Sequence, residues 1–173
     1  MKTARLISLI LVSIMTMSLL SSCIFNPYNA ELINGDATEL IDEDFYHENY
    51  TCDADYLIDG EYVWINDPSY PKERIFAITS SEEYDAIFSE NANINVDFSK
   101  EMLIVYTFTA QYTREIRINS ISIKDNECTL SLKMIKPFTF FWLIGDHARP
   151  YQRYVVVKMN KVDVKKVNVT LKI

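Results

Sequence analysis

The sequence predicts an α+β domain of mainly antiparallel β-structure, with six to eight strands in a sandwich-like sheet and one capped α-helix near residues 81–90. Three observations predict it. Met102–Phe108 is an unbroken apolar and aromatic run, rich in β-branched and aromatic residues, as expected of a strand buried on both faces. Glu127–Lys136 alternates strictly, with Cys128, Leu130, Leu132 and Met134 on one side and Thr129, Ser131 and Lys133 on the other. Asp59-Gly60 and Asp125-Asn126 stand between strand-like runs at the places where tight turns are needed.

The first residues lie outside this domain. Lys2 and Arg5 precede an apolar run from Leu6 to Leu20 and then Ser21-Ser22-Cys23, the pattern of an export signal over residues 1–22. Leu20-Ser21-Ser22-Cys23 resembles a bacterial lipobox, which implies diacylation of Cys23 and cleavage before it. Two acyl chains on one residue suffice for stable anchoring. No other run approaches the roughly 20 apolar residues that span a bilayer. The expectation is a palmitate-type lipid anchor on the extracytoplasmic side of the cell membrane. Residues 23–45 then read as the lipidated cysteine and a flexible tether reaching about 70 Å. Residues 46–173 read as a single β-rich globular domain.

Within the domain, Tyr56–Ile58 and Tyr62–Ile65 flank Asp59-Gly60 as a hairpin, and Arg74–Thr79 is a further strand. Ser80 with Glu83 three residues on is a capping-box helix start, and Tyr84, Ile87 and Phe88 follow at helical spacing. After the central run, Ile116 and Ile118 alternate in one phase and Ile121 and Ile123 in the other, which predicts a β-bulge at Asn119-Ser120. Pro137 ends the next strand. Phe138–Ile144, with Trp142, reads as a buried strand, against the alternative of an exposed loop that meets a partner or the membrane interface. Tyr154–Met159 and Val167–Ile173 are the last strands.

Charge divides the chain. Residues 24–100 hold 18 Asp+Glu against 3 Lys+Arg, and residues 101–173 hold 6 against 12. Screening within one molecule is the simpler reading, while a basic surface suits anionic polymers or lipid headgroups. An exported chain with net charge −7 is not expected to bind nucleic acid.

Besides Cys23, the cysteines are Cys52 and Cys128. An even pair in an exported protein suits a disulfide, and a free Cys128 on an apolar face suits a small hydrophobe, so both readings stand. The chain has two histidines, His47 and His147. Cys128, His147 and Asp146 are the one set that could make a cysteine hydrolase, but no nucleophile turn surrounds Cys128. Two histidines without a CxxC exclude the common zinc patterns. Asp53–Gly60 lacks the ligand spacing of a calcium loop, so its carboxylates read as solvated surface. No metal or cofactor is expected.

Ile78–Phe88 (ITSSEEYDAIF), Asp97–Thr107 (DFSKEMLIVYT) and Pro150–Met159 (PYQRYVVVKM) together resemble the C-terminal domain of the PrcB family, lipoprotein subunits of a surface protease complex. The resemblance covers about residues 74–160. Where that family has a Thr-Gly-Gly-Tyr turn, this chain has Thr109-Ala110-Gln111-Tyr112. Arg149-Pro150-Tyr151 also resembles the Arg-Pro-aromatic loop of chagasin-type cysteine-protease inhibitors. These likenesses imply a non-catalytic binding domain, an accessory subunit whose partner is another exported or surface protein. The contact would run through loops 109–114 and 145–151, with Tyr112, Arg114, His147, Arg149 and Tyr151 as binding residues. Inhibition or assembly of a protease through the same loops is the narrower alternative.

Overall fold

The computed structural model of the chain describes residues 26–33, 36–111, 115–135 and 149–172. These form nine strands in three sheets, mainly antiparallel, with little helix. The strands are β1 (Glu31–Leu32), β2 (Ala54–Ile58), β3 (Glu61–Ile65), β4 (Glu73–Ile78), β5 (Glu101–Ala110), β6 (Glu115–Lys124), β7 (Glu127–Ile135), β8 (Tyr151–Asn160) and β9 (Lys166–Lys172). Two short helices, α1 (Glu43–Glu48) and α2 (Ser81–Asp85), and a 3-10 turn at Thr38–Leu40 complete the set. The predicted leader and Cys23, the apolar run 138–144, and Tyr112, Arg114 and His147 lie outside the described residues.

The main sheet has the order β1-β8-β5-β4. Its centre is the ten-pair antiparallel ladder from Glu101↔Asn160 to Ala110↔Tyr151. Both faces are covered, which is why Met102–Phe108 shows no polar alternation. On one face Met102, Ile104, Tyr106, Phe108, Val155, Val157 and Met159 share a core with Ile116, Cys128, Leu130, Leu132, Met134 and Val169 of the β6-β7-β9 sheet. On the other, Leu103, Val105, Tyr154 and Val156 pack with Ala37, Ile41, Ile78, Ile87, Phe88 and Ala92.

Both predicted hairpins form. Asp59 and Gly60 take φ of 51° and 82°, and Asp125 and Asn126 take 53° and 61°, the left-handed pairs that a two-residue turn requires. The β6–β7 register shifts between Ile118 and Ser120, at the predicted bulge. The C-terminal strand departs from an all-antiparallel arrangement, since β9 runs parallel to β7, from Glu127↔Lys166 to Lys133↔Lys172.

Two further expectations are corrected. The described part of the predicted tether, residues 26–33 and 36–45, is ordered against the domain. Glu31 and Leu32 pair with β8, the Ile33 amide donates to the Val156 carbonyl at 2.8 Å and the Ala37 amide to that of Tyr154 at 2.9 Å. Ala30, Ala37 and Ile41 are buried. The segment holds too few apolar residues to fold alone, but it covers a sheet edge that other residues have built. The helix predicted to reach residue 90 stops at Asp85. Ser80 does cap it, accepting from the Glu83 amide at 3.2 Å. Beyond it, however, Phe88 bridges Ile41, the Asp42 amide takes the Ile87 carbonyl and the Ser89 amide takes that of Leu40. Backbone groups engaged across the chain cannot continue a helix.

Ile41→Ala should therefore lower unfolding stability by about 2–4 kcal/mol, the usual cost of emptying a buried aliphatic site. Urea unfolding of the domain measures it. A loss under about 0.5 kcal/mol, typical of surface positions, would return the segment to tether status.

Candidate functional site

The β2–β3 hairpin stands as its own two-stranded sheet, and its two faces differ. Ala54 and Tyr56 point inward and are buried. The opposite face pairs Leu57 with Tyr62 and Asp55 with Trp64. Leu57, Tyr62 and Trp64 are 56%, 53% and 54% exposed. This is a contiguous apolar and aromatic face in open solvent, unlike singly scattered surface hydrophobes.

Residues 149–153 border this face and hold it. The Asp55 amide donates to the Pro150 carbonyl at 2.6 Å. Arg149 places its guanidinium 4.1 Å from the Tyr62 ring centroid, and its Nη1 lies 3.6 Å from Asp55 Oδ2. Hydrogen bonding to Tyr62, with some burial, holds the Tyr151 phenol above its ordinary pKa. Arg153 lies 5.7 Å from the Tyr151 ring and pairs with Asp36 at 3.0 Å. The result is a ladder of Asp55, Arg149, Tyr62, Tyr151, Arg153 and Asp36, in which each guanidinium is shared between a carboxylate and a phenol.

A buried polar network fixes the base of the hairpin. The Tyr56 hydroxyl accepts from the Thr51 amide at 2.7 Å and donates to Gln152 Oε1 at 2.8 Å, and Gln152 Nε2 donates to the Tyr154 hydroxyl. Thr109 Oγ1 donates to the Cys52 carbonyl at 3.0 Å, and Arg74 holds the Tyr50 carbonyl. Burial pushes Tyr154 up to about 12 and raises Tyr46 and Tyr56, so these phenols stay neutral donors and acceptors.

Of the predicted binding residues, the structure brings Arg149 and Tyr151 together. Both join a face that sequence reasoning missed. Tyr62-x-Trp64 opposite Leu57 was legible as one apolar side of a hairpin, but alternation does not tell whether another segment covers that side. Ala110 pairs with Tyr151, so the start of predicted loop 109–114 lies at the same end of the main sheet.

The cysteine pair is not bridged. Cys128 is 0% exposed in the core between the two larger sheets. Cys52 is 5% exposed, and its thiol donates to Asp53 Oδ1 at 3.3 Å, beside a cleft of about 400 Å³ that Lys72 and Tyr70 help to line. Burial raises the Cys128 thiol, and burial together with the Asp53 carboxylate raises that of Cys52. A core thiol without an approach cannot act as a nucleophile, so the Cys128-based hydrolase is set aside. Among the described residues no His, Cys, Asp and Glu group could hold a metal ion, and no helix is long and apolar enough to cross a membrane.

Comparison with family models, curated proteins and solved structures finds no match to this chain.

Two measurements test this description. Chain denatured without reductant should be alkylated at both Cys52 and Cys128, as peptide mapping would show; alkylation of neither would show a bridge. Gln152→Leu should cost about 1–3 kcal/mol, because it removes the buried side chain that bridges the Tyr56 and Tyr154 hydroxyls and with it two hydrogen bonds.

Proposed function

We propose that the protein is a lipid-anchored bacterial exported protein whose sandwich-like domain is a non-catalytic binding module. The anchor is Cys23, read from the lipobox-like sequence Leu20–Cys23. One observation carries the binding reading: Leu57, Tyr62 and Trp64 lie exposed on a hairpin that a buried hydrogen-bond network holds in place. Tyrosine, tryptophan and arginine dominate the energetic centres of protein interfaces, and a rigid support reduces the entropy lost on contact. Arg149 beside Tyr62 supplies a cation already oriented for a partner's carboxylate or carbonyl.

The partner is another exported or surface protein. The resemblance to PrcB-type subunits and to chagasin-type inhibitors makes a protease the narrower choice. Its support is the placement of Arg149 and Tyr151 beside the hairpin, at the end of the sheet where Ala110 pairs with Tyr151.

The test compares partner capture by the detergent-solubilised, lipidated protein and by its Tyr62→Ala, Trp64→Ala variant. Loss of about 2 kcal/mol or more, roughly thirtyfold in affinity, is the expected outcome for residues at the centre of an interface. Equal capture by both forms, with unchanged thermal unfolding, removes the hairpin face from the binding role.

A further inference from the structure

The β6-β7-β9 sheet turns its apolar side chains to the core and a basic face outward. On that outer face the register sets Arg117 opposite Lys133 and Lys133 opposite Lys172, a row of three cations across three strands. All three are exposed. A second row holds Lys124, Glu127 and Lys166. Between them stand Ser122, Thr129 and Asn168, then Ser120, Ser131 and Thr170. Two carboxylates share the face and both are engaged: Glu115 accepts from Arg117 at 2.6 Å and Glu127 from Asn168 at 2.9 Å. Like charges directly opposite one another in a sheet are unfavourable. An anionic surface laid over the row relieves that repulsion.

The second observation is where Asn26, three residues after Cys23, lies in the fold. Asn26 is tied down, accepting from the Ala30 amide at 2.9 Å and donating to its carbonyl at 2.8 Å. Asn26, Pro27 and Tyr28 form one wall of a cleft of about 570 Å³ whose other wall is Ile118–Ile123 of β6. Residues 26–28 thus lie against the edge strand of the basic sheet. From Cys23 to Asn26 the chain spans three residues, at most roughly 11 Å. Electrostatic attraction at a charged surface decays over about 8 Å at physiological salt, so a reach this short keeps the face within the field of the headgroups.

We propose that the outer face of the β6-β7-β9 sheet lies on the anionic headgroups of the bilayer that carries the anchor. The inference rests on the lipid-anchored reading of Cys23. The layer beyond the main sheet, which includes α2, is then the side turned away from the lipid, one sheet-to-sheet and one sheet-to-helix spacing of about 10 Å each from the contact.

The test uses lipidated protein in vesicles of seven parts phosphatidylcholine to three parts phosphatidylglycerol, with a fluorophore on Thr170→Cys or, as control, on Glu82→Cys. Quenching by headgroup nitroxide should be at least about threefold stronger at residue 170 than at 82. It should fall to the control level in the K133E, K172E variant, in 0.5 M salt or in vesicles of phosphatidylcholine alone. Protein that lacks the diacylglyceryl mass and stays in the aqueous phase overturns the anchor reading and the seating with it. Protein that carries the lipid and floats with the vesicles, but is quenched equally at both labels, overturns the seating alone. Thermal unfolding of K133E, K172E at or above the parent's confirms that the variant loses the contact and not the fold.

Discussion

The β5–β8 ladder is the constraint on which everything else depends. A pair of ten-residue strands buried on both faces needs two separate covers, because each exposes a full row of apolar side chains on either side. Met102, Ile104, Tyr106 and Phe108 require one, and Leu103 and Val105 the other. The β6-β7-β9 sheet satisfies the first. The second is assembled from pieces that are weak alone: the Thr38–Leu40 turn, two helices of under two turns each, and the loop through Ala92. Helices this short are not stable by themselves in water and persist because the sheet needs their apolar side.

That dependence explains what could be read from the chain. Elements whose signal is local were legible: the two hairpins through Asp59-Gly60 and Asp125-Asn126, the bulge through its change of phase, and the doubly buried strand through its missing alternation. Elements whose state is decided elsewhere were not. Nothing in Val167–Ile173 states the direction of its neighbour, since alternation is the same in parallel and antiparallel pairing. Ile87 and Phe88 fit a helix, but residues 40–42 compete for their backbone groups. Residues 26–45 look too polar to be ordered until β8 offers them an edge. The candidate site divides likewise: Arg149-Pro150-Tyr151 stood out as a motif, while the hairpin face it borders was visible as a pattern without evidence of exposure.

The uneven charge also finds its place. Acidic side chains of the first half meet basic ones of the second in Glu31–Lys158, Asp36–Arg153 and Asp55–Arg149. All three tie an N-terminal segment or the hairpin to β8 or its approach. Much of the remaining positive charge sits on the three-stranded sheet, away from these pairs. Partly buried pairs of this kind each contribute modestly to stability once desolvation is set against attraction. Their effect here is one of orientation, since the same guanidiniums are also stacked on Tyr62 and Tyr151.

The parallel pairing of β9 with β7 bears on the order of assembly. The partners Glu127 and Lys166 are about forty residues apart, and β8, which lies between them in the chain, belongs to the other sheet. Closing so long a loop is entropically unfavourable until β8 is seated, so β9 docks last, after the central ladder is formed. Until then β7 presents a bare edge rich in leucine, the kind of surface on which partly folded chains associate. Rapid completion of the C-terminal strand thus separates a productive fold from aggregation.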